Sequence, residues 1–262
     1  MKKLIYIIPV LFLFFYTGCT GDNSTNPANT QGQLKISMVD SPAQYDQVNI
    51  IVTRVEVHMA DSLSGGWMVV NPVPHTYDLL ELTNGVSVVL GDTFLTPGHY
   101  TQIRLVLGEG NNVVINGDTI PLIIPSSMQS GIKLNHEFDI EPGNLYELLL
   151  DFDAERSINV TGNGKYMMNP VIRVMPAVTS GSISGQVLPL DADAKVWTLA
   201  GPDTISTDPN SGGFFSLMAL PAGTYDVHID PDNILYRDTL VAGVDVTAGS
   251  DTNIGIVQVP LQ

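Results

Sequence analysis

Apolar and polar residues alternate along most of the chain beyond residue 33, and a period of two is typical of β-strands. The longest such stretch runs from 48 to 59, and its polar face carries Arg54, Glu56 and His58. No long stretch shows the 3.6-residue period of an amphipathic helix, whereas glycine, proline and β-branched residues are plentiful. The pattern therefore predicts an all-β protein.

Turn signals separate the predicted strands. Asn84-Gly85 is a hairpin-type signal. Pro-Gly or Pro-Ala-Gly turns launch strands at Pro97-Gly98, Pro142-Gly143 and Pro221-Ala222-Gly223. A tyrosine follows each of them, and we expect its ring to pack across a β-sandwich while its hydroxyl finds a partner at the edge.

The chain divides into two predicted bodies at Thr179-Ser180-Gly181. Residues 33–177 form the first β-sandwich and residues 181–262 the second, which contains short strands at even spacing. The length beyond residue 33 is sufficient for two cores. The expected architecture is two β-sandwich domains in series.

The N-terminus carries a targeting pattern. Two lysines precede a mostly apolar run, 4–16, which is shorter than the roughly 20 residues that a membrane-spanning helix needs. Residues 1–18 therefore read as a signal peptide. Thr17-Gly18-Cys19 resembles the lipobox of bacterial lipoproteins, although Tyr16 stands where that family has an aliphatic residue. The resemblance implies lipidation of Cys19; an ordinary signal peptide followed by a free thiol is the alternative.

The segment 19–32 is rich in Asn, Thr, Ser and Gly and reads as a flexible tether. No acidic residue directly follows Cys19, which by resemblance to Gram-negative sorting favours the outer membrane. Lipid at the N-terminus would make the membrane one partner of the protein. Because Cys19 is the single cysteine, no thiol would remain for a disulfide, a zinc–thiolate site or a nucleophile.

The formal net charge is −16, and it becomes −18 once the leader with its two lysines is removed, because nine basic residues then face 27 acidic ones. Such a chain repels nucleic acid and anionic lipid headgroups, so nucleic acid is excluded as a partner. The acidity favours solubility outside the cytoplasm and makes divalent-cation binding conceivable.

The second body resembles the carboxypeptidase regulatory-like, or prealbumin-like, domain. The resemblance covers 181–262 and rests on Gly185-Gln186-Val187, Gly213-Phe214-Phe215-Ser216, the segment 220–225 and Val244-Asp245-Val246. It implies a transthyretin-like sandwich. Some members of that family belong to a carbohydrate-binding-like superfamily, and many are spacers.

The first body resembles a family of bacterial lipoprotein domains of unknown function, numbered forty-three eighty-two. The resemblance covers about 33–176 and rests on motifs that follow one another in this order: Asp40-Ser41-Pro42, Val55-Glu56-Val57-His58, Pro97-Gly98-His99-Tyr100, Leu150-Asp151-Phe152-Asp153 and Pro170-Val171-Ile172-Arg173-Val174. The resemblance implies an exported β-rich module and transfers no activity.

Two pairs of aspartates are candidate metal ligands: Asp151 with Asp153, and Asp191 with Asp193. Calcium requires six or more oxygens, which such clusters can help supply. Neither pair belongs to a complete Asp-x-Asp-x-Asp-Gly loop. Carboxylates that are solvated or bonded to backbone amides are the alternative, and no other cofactor is expected.

Trp67, Tyr77 and Tyr166 are candidates for an aromatic platform that stacks on sugar rings, with packing in the core or at a sheet edge as the alternative. Arg54, Glu56 and Arg104 lie on polar strand faces and could form a cross-strand ion network. An exposed pair of this kind contributes under about 1 kcal/mol.

No catalytic set is recognisable. The five histidines are dispersed without metal-ligand spacing, and no Gly-x-Ser-x-Gly elbow occurs. A Lys–Asn isopeptide bond at Lys165 or Lys195 has no acidic catalyst placed by a motif. The sequence therefore favours a non-enzymatic, lipid-anchored envelope protein that binds or scaffolds a glycan or protein ligand. A carbohydrate-binding accessory protein and a pilin-like or adhesin subunit are the alternatives.

Overall fold

The computed structural model describes residues 30–60, 66–125 and 130–262. The described chain is built almost entirely of strands arranged in four sheets, which confirms the predicted all-β sandwich class. The predicted signal peptide, Cys19 and most of the predicted tether lie outside the described residues. Among the residues that are described, no helix is long and apolar enough to cross a bilayer.

Thirteen strands build the N-terminal part of the fold. They are β1 (Gly32–Ser41), β2 (Gln47–Met59), β3 (Trp67–Asn71), β4 (His75–Asp78), β5 (Val88–Leu95), β6 (Gly98–Leu107), β7 (Asn112–Ile115), β8 (Asp118–Ile123), β9 (Ile132–Ile140), β10 (Leu145–Asp153), β11 (Ile158–Val160), β12 (Tyr166–Met168) and β13 (Ile172–Pro176).

These strands form two sheets that enclose one core. The smaller sheet has the order β13-β10-β1-β5, with β1 parallel to β10 and antiparallel to β5. The larger sheet has the order β11-β12-β8-β7-β2-β6-β9, and β3 and β4 also pair with β2. Alternation places every second side chain inside, so Leu34, Ile36 and Met38 of β1 are fully buried, as the sequence predicts.

Seven strands build the C-terminal part. They are β14 (Ser180–Leu188), β15 (Ala194–Ala200), β16 (Asp203–Thr207), β17 (Phe214–Pro221), β18 (Gly223–Pro231), β19 (Thr239–Val246) and β20 (Asp251–Gln258). A sheet of order β17-β14-β20 faces a sheet of order β16-β15-β18-β19. A second hydrophobic core, which includes Ile183, Val196 and Val227, lies between them.

Two of the predicted turn tyrosines make the same bond in the two parts of the fold. The Tyr100 hydroxyl donates to the carbonyl of Thr96 at 2.8 Å, and the Tyr225 hydroxyl donates to the carbonyl of Pro221 at 2.7 Å. In each case the acceptor lies four residues upstream, so the tyrosine ties the turn to the strand that it launches. Tyr146, which follows the third turn, instead stacks on Phe138 with ring centroids 5.2 Å apart.

The prediction of a β-hairpin at Asn84-Gly85 is wrong. A short 3-10 helix, Leu79–Leu82, precedes this turn, and the strand before that helix, β4, pairs with β2 and not with β5. The helix forms because the Asp78 carboxylate accepts a hydrogen bond from the Leu80 amide while Leu79 and Leu82 enter the core. Asn84 and Gly85 have positive φ angles of 59° and 89°, which is the conformation that their residue types favour.

The sequence analysis also missed several short elements. Among them are strand β4, strand β16 and the helix α1 (Ala154–Ser157). Asp153 caps α1 by accepting a hydrogen bond from the Arg156 amide at 2.8 Å. Four or five residues give too little periodicity to distinguish such an element from a loop.

The two parts of the fold contact each other through the outer face of the smaller N-terminal sheet. Val39 and Leu149 on that face form a buried apolar cluster with Ala219 of β17. The Asn84 side chain donates to the carbonyl of Phe214 at 2.9 Å and accepts from the amide of Ser216 at 2.8 Å. The joint therefore combines apolar burial with hydrogen bonds that fix its geometry.

Candidate functional site

The polar face of β2 holds a buried carboxylate. Glu56 is only 5% exposed, although it points away from the core side that Val55 and Val57 occupy. Its carboxylate accepts hydrogen bonds from Arg54 Nε at 2.6 Å and Arg104 Nε at 2.5 Å. Two guanidinium groups therefore compensate its desolvation, as a buried charge requires. The ion network considered from the sequence is present, and it is more buried than an exposed pair.

Trp67 explains how Glu56 becomes buried. Trp67 stands on β3 and Arg104 on β6, and these strands flank β2 on opposite sides. The Arg104 guanidinium carbon nevertheless lies 3.9 Å from the centroid of the Trp67 ring. The two side chains therefore meet above β2 and cover Glu56, and the contact is a cation–π interaction.

The same surface extends onto β9. In the register of the strands, Glu56 faces Arg104 and Arg104 faces Lys133, so all three project on one side. One step along the strands, the Gln102 amide donates to the Asn135 carbonyl oxygen at 2.8 Å. We call the set Arg54, Glu56, Trp67, Arg104 and Lys133 the cationic face.

The structure does not bring the three predicted platform residues together. Trp67 pairs with His58 and Tyr77 pairs with Ile50, so they lie eight residues apart along β2, or roughly 26 Å. Tyr166 lies beyond β8 and contacts Tyr45 edge-on at 6.5 Å. Tyr77 belongs to the core. Trp67 is the one of the three that lies beside the Glu56 ion network.

The first candidate metal pair is engaged by protein groups. Asp151 is buried and accepts from Arg173 Nε at 3.0 Å, with a second bond from Arg173 Nη2 to the same oxygen. Burial raises the pKa of Asp151, and the neighbouring Arg173 partly opposes that shift. Burial also raises the pKa of Asp153, which caps α1. Asp153 therefore has the backbone-amide role that the sequence analysis weighed against calcium, and the ion pair of Asp151 is an addition that the sequence analysis did not consider.

The second candidate pair is exposed. Asp191 accepts a hydrogen bond from the Tyr236 hydroxyl at 2.9 Å, and Asp193 has a left-handed conformation with φ of 47°. Within the described ranges, no group of three or more His, Cys, Asp or Glu side chains is arranged to hold a metal ion. Calcium binding at either pair stays a prediction.

Asp40 is a buried carboxyl that the sequence analysis did not single out. Its Oδ1 accepts from the Ala154 amide at 3.0 Å, whereas its Oδ2 has no hydrogen-bond partner in the described structure. Burial raises the pKa of Asp40 well above its usual range, and the nearby Asp151 adds to the shift. The sequence analysis quoted the Asp40-Ser41-Pro42 motif as part of a family resemblance, but nothing in the motif indicated that the Asp40 side chain is buried.

The histidines and lysines considered for chemistry are placed apart. His58 lies beside Trp67, with ring centroids 5.1 Å apart, and contacts the Thr101 hydroxyl at 3.1 Å. His228 stacks on Trp197 at 4.0 Å in the C-terminal part. Lys195, a candidate for an isopeptide bond, lies 3.1 Å from Glu155 Oε2.

A cleft of about 420 Å³ opens between the two parts of the fold. One wall is the segment 42–44, and the other carries acidic groups beside Lys195: Asp193, Asp208 and Asp232. Burial raises the pKa of Asp208, and Lys195 partly opposes that shift. The cleft is polar and joins both parts of the chain, but its groups form no recognisable catalytic set.

A protein-family model described as Domain of unknown function (DUF4382) matches residues 31–170, which is more than half of the chain. No curated protein matches the sequence.

Several solved structures resemble the fold at low identity. A chain of a type II Cohesin-X-Dockerin complex from Acetivibrio cellulolyticus is 23% identical, with a TM-score of 0.26, and the match covers 31% of this chain and 58% of that one. The chain therefore spans less than two thirds of that protein. The minor pilin of Streptococcus agalactiae is 11% identical over 88% of this chain and 96% of the pilin, with a TM-score of 0.25. The shaft pilin SpaA of Lactobacillus rhamnosus GG is 6% identical over 89% and 98%, with a TM-score of 0.22.

Proposed function

This chain belongs to the family Domain of unknown function (DUF4382). We propose that it is a non-enzymatic protein that is anchored by lipid at Cys19. Outside the cytoplasm, it displays two docked β-sandwiches as a binding or scaffold unit. The N-terminal lysines, the apolar run and the Thr17-Gly18-Cys19 pattern support the anchoring. Two lipid signals, such as a diacylglycerol and an amide-linked chain, would make the attachment stable.

The joint between the two sandwiches is the observation that carries the scaffold role. The apolar cluster around Ala219 connects the smaller N-terminal sheet to β17, and the two Asn84 hydrogen bonds connect the turn before β5 to the same strand. A second contact lies at α1, where Glu155 pairs with Lys195. Bodies joined at separate points present their outer surfaces in a fixed relation, which suits a protein that holds a ligand or partner at a distance from the membrane.

The anchoring is tested by expressing the full chain and its Cys19→Ser variant with a fatty-acid probe. We expect label and membrane association for the unsubstituted chain and loss of both for the variant. Serine nearly retains the size of the cysteine side chain, so a loss of label shows that the thiol is the attachment point of the lipid. Equal labelling of the two chains would disprove lipidation at Cys19.

The non-enzymatic role has a separate test. We expect the purified chain to turn over none of a panel of glycoside, ester and peptide substrates. Turnover that is abolished by Asp208→Asn in the cleft would disprove it, provided that the variant retains the strand-rich circular dichroism spectrum.

The second candidate is a pilin-like subunit, and the pairing of β1 favours it. β1 lies between β5 and β10 and comes first in the described body, so a strand from another copy could make the same pairings in its place. Electron microscopy of cells with and without the gene tests this candidate. Filaments that depend on the gene would support it, and their absence would remove it.

A further inference from the structure

Basic side chains are scarce in this protein, yet three of them share one surface. The chain has eleven lysines and arginines against 27 acidic residues. Arg54, Arg104 and Lys133 all project from the outer side of β2, β6 and β9. Three positive charges and the single carboxylate of Glu56 leave a formal charge of +2 on the cationic face, whereas the whole chain carries −16.

The cations of this face are held differently. Arg104 is fixed by Glu56 on one side and by the Trp67 ring on the other, and its side chain is only 18% exposed. The Arg54 side chain bonds to Glu56 through Nε and is 43% exposed. Lys133 is exposed and makes no ion pair with the described part of the chain. Arg54 and Lys133 are therefore the cations free to meet a ligand, and Arg104 loses little conformational freedom when one binds.

Next to the charges lie two neutral side chains that form hydrogen bonds, Gln102 on β6 and Asn135 on β9, and we call this pair the neutral row. Trp67 lies on β3, on the other side of β2. Side-chain amides both donate and accept hydrogen bonds, which matches sugar hydroxyls, and the partly exposed indole offers an apolar surface for a sugar ring. An acidic peptide would need the cations but not this row.

The nearest acidic groups on the outer side of β9 lie away from the cations. Glu137 and Asp139 follow Lys133 by four and six residues, which puts Glu137 roughly 13 Å from it, and both lie near His99. Charges separated by more than about 8 Å are largely screened at physiological salt when they are exposed. The overall negative charge therefore slows the approach of an anion but does not cancel the local attraction.

We propose that the cationic face binds an acidic polysaccharide, with uronate carboxylates on Arg54 and Lys133 and a sugar ring beside Trp67. This inference rests on the proposed role as an extracytoplasmic binding module, and it specifies the ligand class and the surface. The carboxylate of a uronic acid and a guanidinium or ammonium group form charge-assisted hydrogen bonds. The neutral row then contacts the hydroxyls of the neighbouring sugars.

Polygalacturonate is the probe, and its fully methyl-esterified form of equal length is the control polymer, because esterification removes the charge and keeps the sugar. With the full chain in detergent, calorimetric titration is expected to show binding of the acid form alone. The affinity should fall between 50 and 300 mM salt. Arg54→Gln and Lys133→Gln are each expected to weaken binding about tenfold, which corresponds to one charge-assisted contact. Lys165→Gln, at an exposed turn outside this face, should leave it unchanged.

Trp67→Phe separates stacking from folding, since phenylalanine keeps an aromatic ring beneath Arg104. We expect a severalfold loss of affinity with an unchanged melting temperature. Equal binding of the esterified polymer, equal binding of poly-glutamate, or no effect of both charge substitutions would each overturn the proposal. A chain that is labelled at Cys19 yet binds no polyuronate would disprove this inference alone, whereas an unlabelled chain that binds it would disprove the anchoring alone.

Discussion

The ion pair between Asp151 and Arg173 gives the most stringent test of how this fold is held together. The two residues face each other on the paired strands β10 and β13, and Arg173 also reaches toward the carbonyl of Ala219 in the other sandwich at 3.5 Å. The Asp151 side chain is 9% exposed. Arg173→Met removes the guanidinium, retains most of the aliphatic stem and leaves a buried carboxylate without its partner.

The expected loss can be worked from burial. Removing one partner of a buried pair costs about 3–5 kcal/mol, because the remaining charge is uncompensated. The Arg173 side chain is 18% exposed, so water can reach part of the space, and we expect the lower end of that range, about 3 kcal/mol. Adding Asp151→Asn removes the stranded charge and leaves only an unsatisfied amide, so the double variant should lose about 1–2 kcal/mol.

The loss should depend on pH in a defined direction. Burial already raises the pKa of Asp151, and Arg173 is the cation that opposes the shift, so Arg173→Met raises that pKa further. A carboxyl with a raised folded pKa contributes most stability when it is protonated, below its unfolded value, and loses that contribution as the pH rises through the folded value. The difference between variant and parent should therefore be largest at pH 7 and shrink toward pH 4.

Urea unfolding followed by tryptophan fluorescence measures these differences, because Trp67 lies in one sandwich and Trp197 in the other. Parent, single and double variants are compared at pH 7 and pH 4.5. A single variant within 1 kcal/mol of the parent at pH 7 would refute the reasoning, since the carboxylate would then be adequately solvated. A double variant as unstable as the single one would show that lost packing, not stranded charge, is the cause.

Four further substitutions test other parts of the structure. Tyr100→Phe should lower the free energy of unfolding by about 1–2 kcal/mol, because it removes the hydrogen bond of a fully buried tyrosine. Tyr225→Phe, at the half-buried equivalent, should cost under about 0.5 kcal/mol. Calorimetry compares the two variants, and equal losses would contradict the burial argument. Asp40→Asn should be more stable than the parent at pH 7 and lose this advantage toward pH 4, because the raised pKa of Asp40 means that its charged form destabilises the fold. Urea unfolding at both pH values measures the difference. The opposite trend would contradict the inference that Asp40 is buried as a costly charge. Asn84→Gly keeps the positive φ angle and removes both hydrogen bonds to β17, so the free energy of unfolding should fall by about 1 kcal/mol. An unchanged melting curve would show that these two bonds contribute nothing to stability.

The cationic face was only partly predictable. Alternation along 48–59 placed Arg54 and Glu56 on one polar face, and this is a local property of a strand. Lys133 received no role, because its position opposite Arg104 depends on which strand lies beside β6 and in which register. A one-residue slip would move every side chain of β9 to the other side of the sheet.

By itself, the sequence determined the elements whose cause is local. The period of two predicted the long strands, and the turns at Pro97 and Pro221 were predicted with tyrosines whose hydroxyls bond nearby, because residue type alone restricts the backbone there. The same patterns left the pairing partners undetermined.

The tertiary structure alone decided the pairings between distant segments and the environments that they create. β1 pairs in parallel with β10, more than a hundred residues away, and that pairing brings Asp40 beside Ala154 and buries Asp151 beneath the second sandwich. The same two carboxylates would be ordinary solvated groups on isolated strands. Their burial, their raised pKa values and the meeting of Trp67 with Arg104 above β2 exist because separate strands are packed together, and no local pattern encodes that packing.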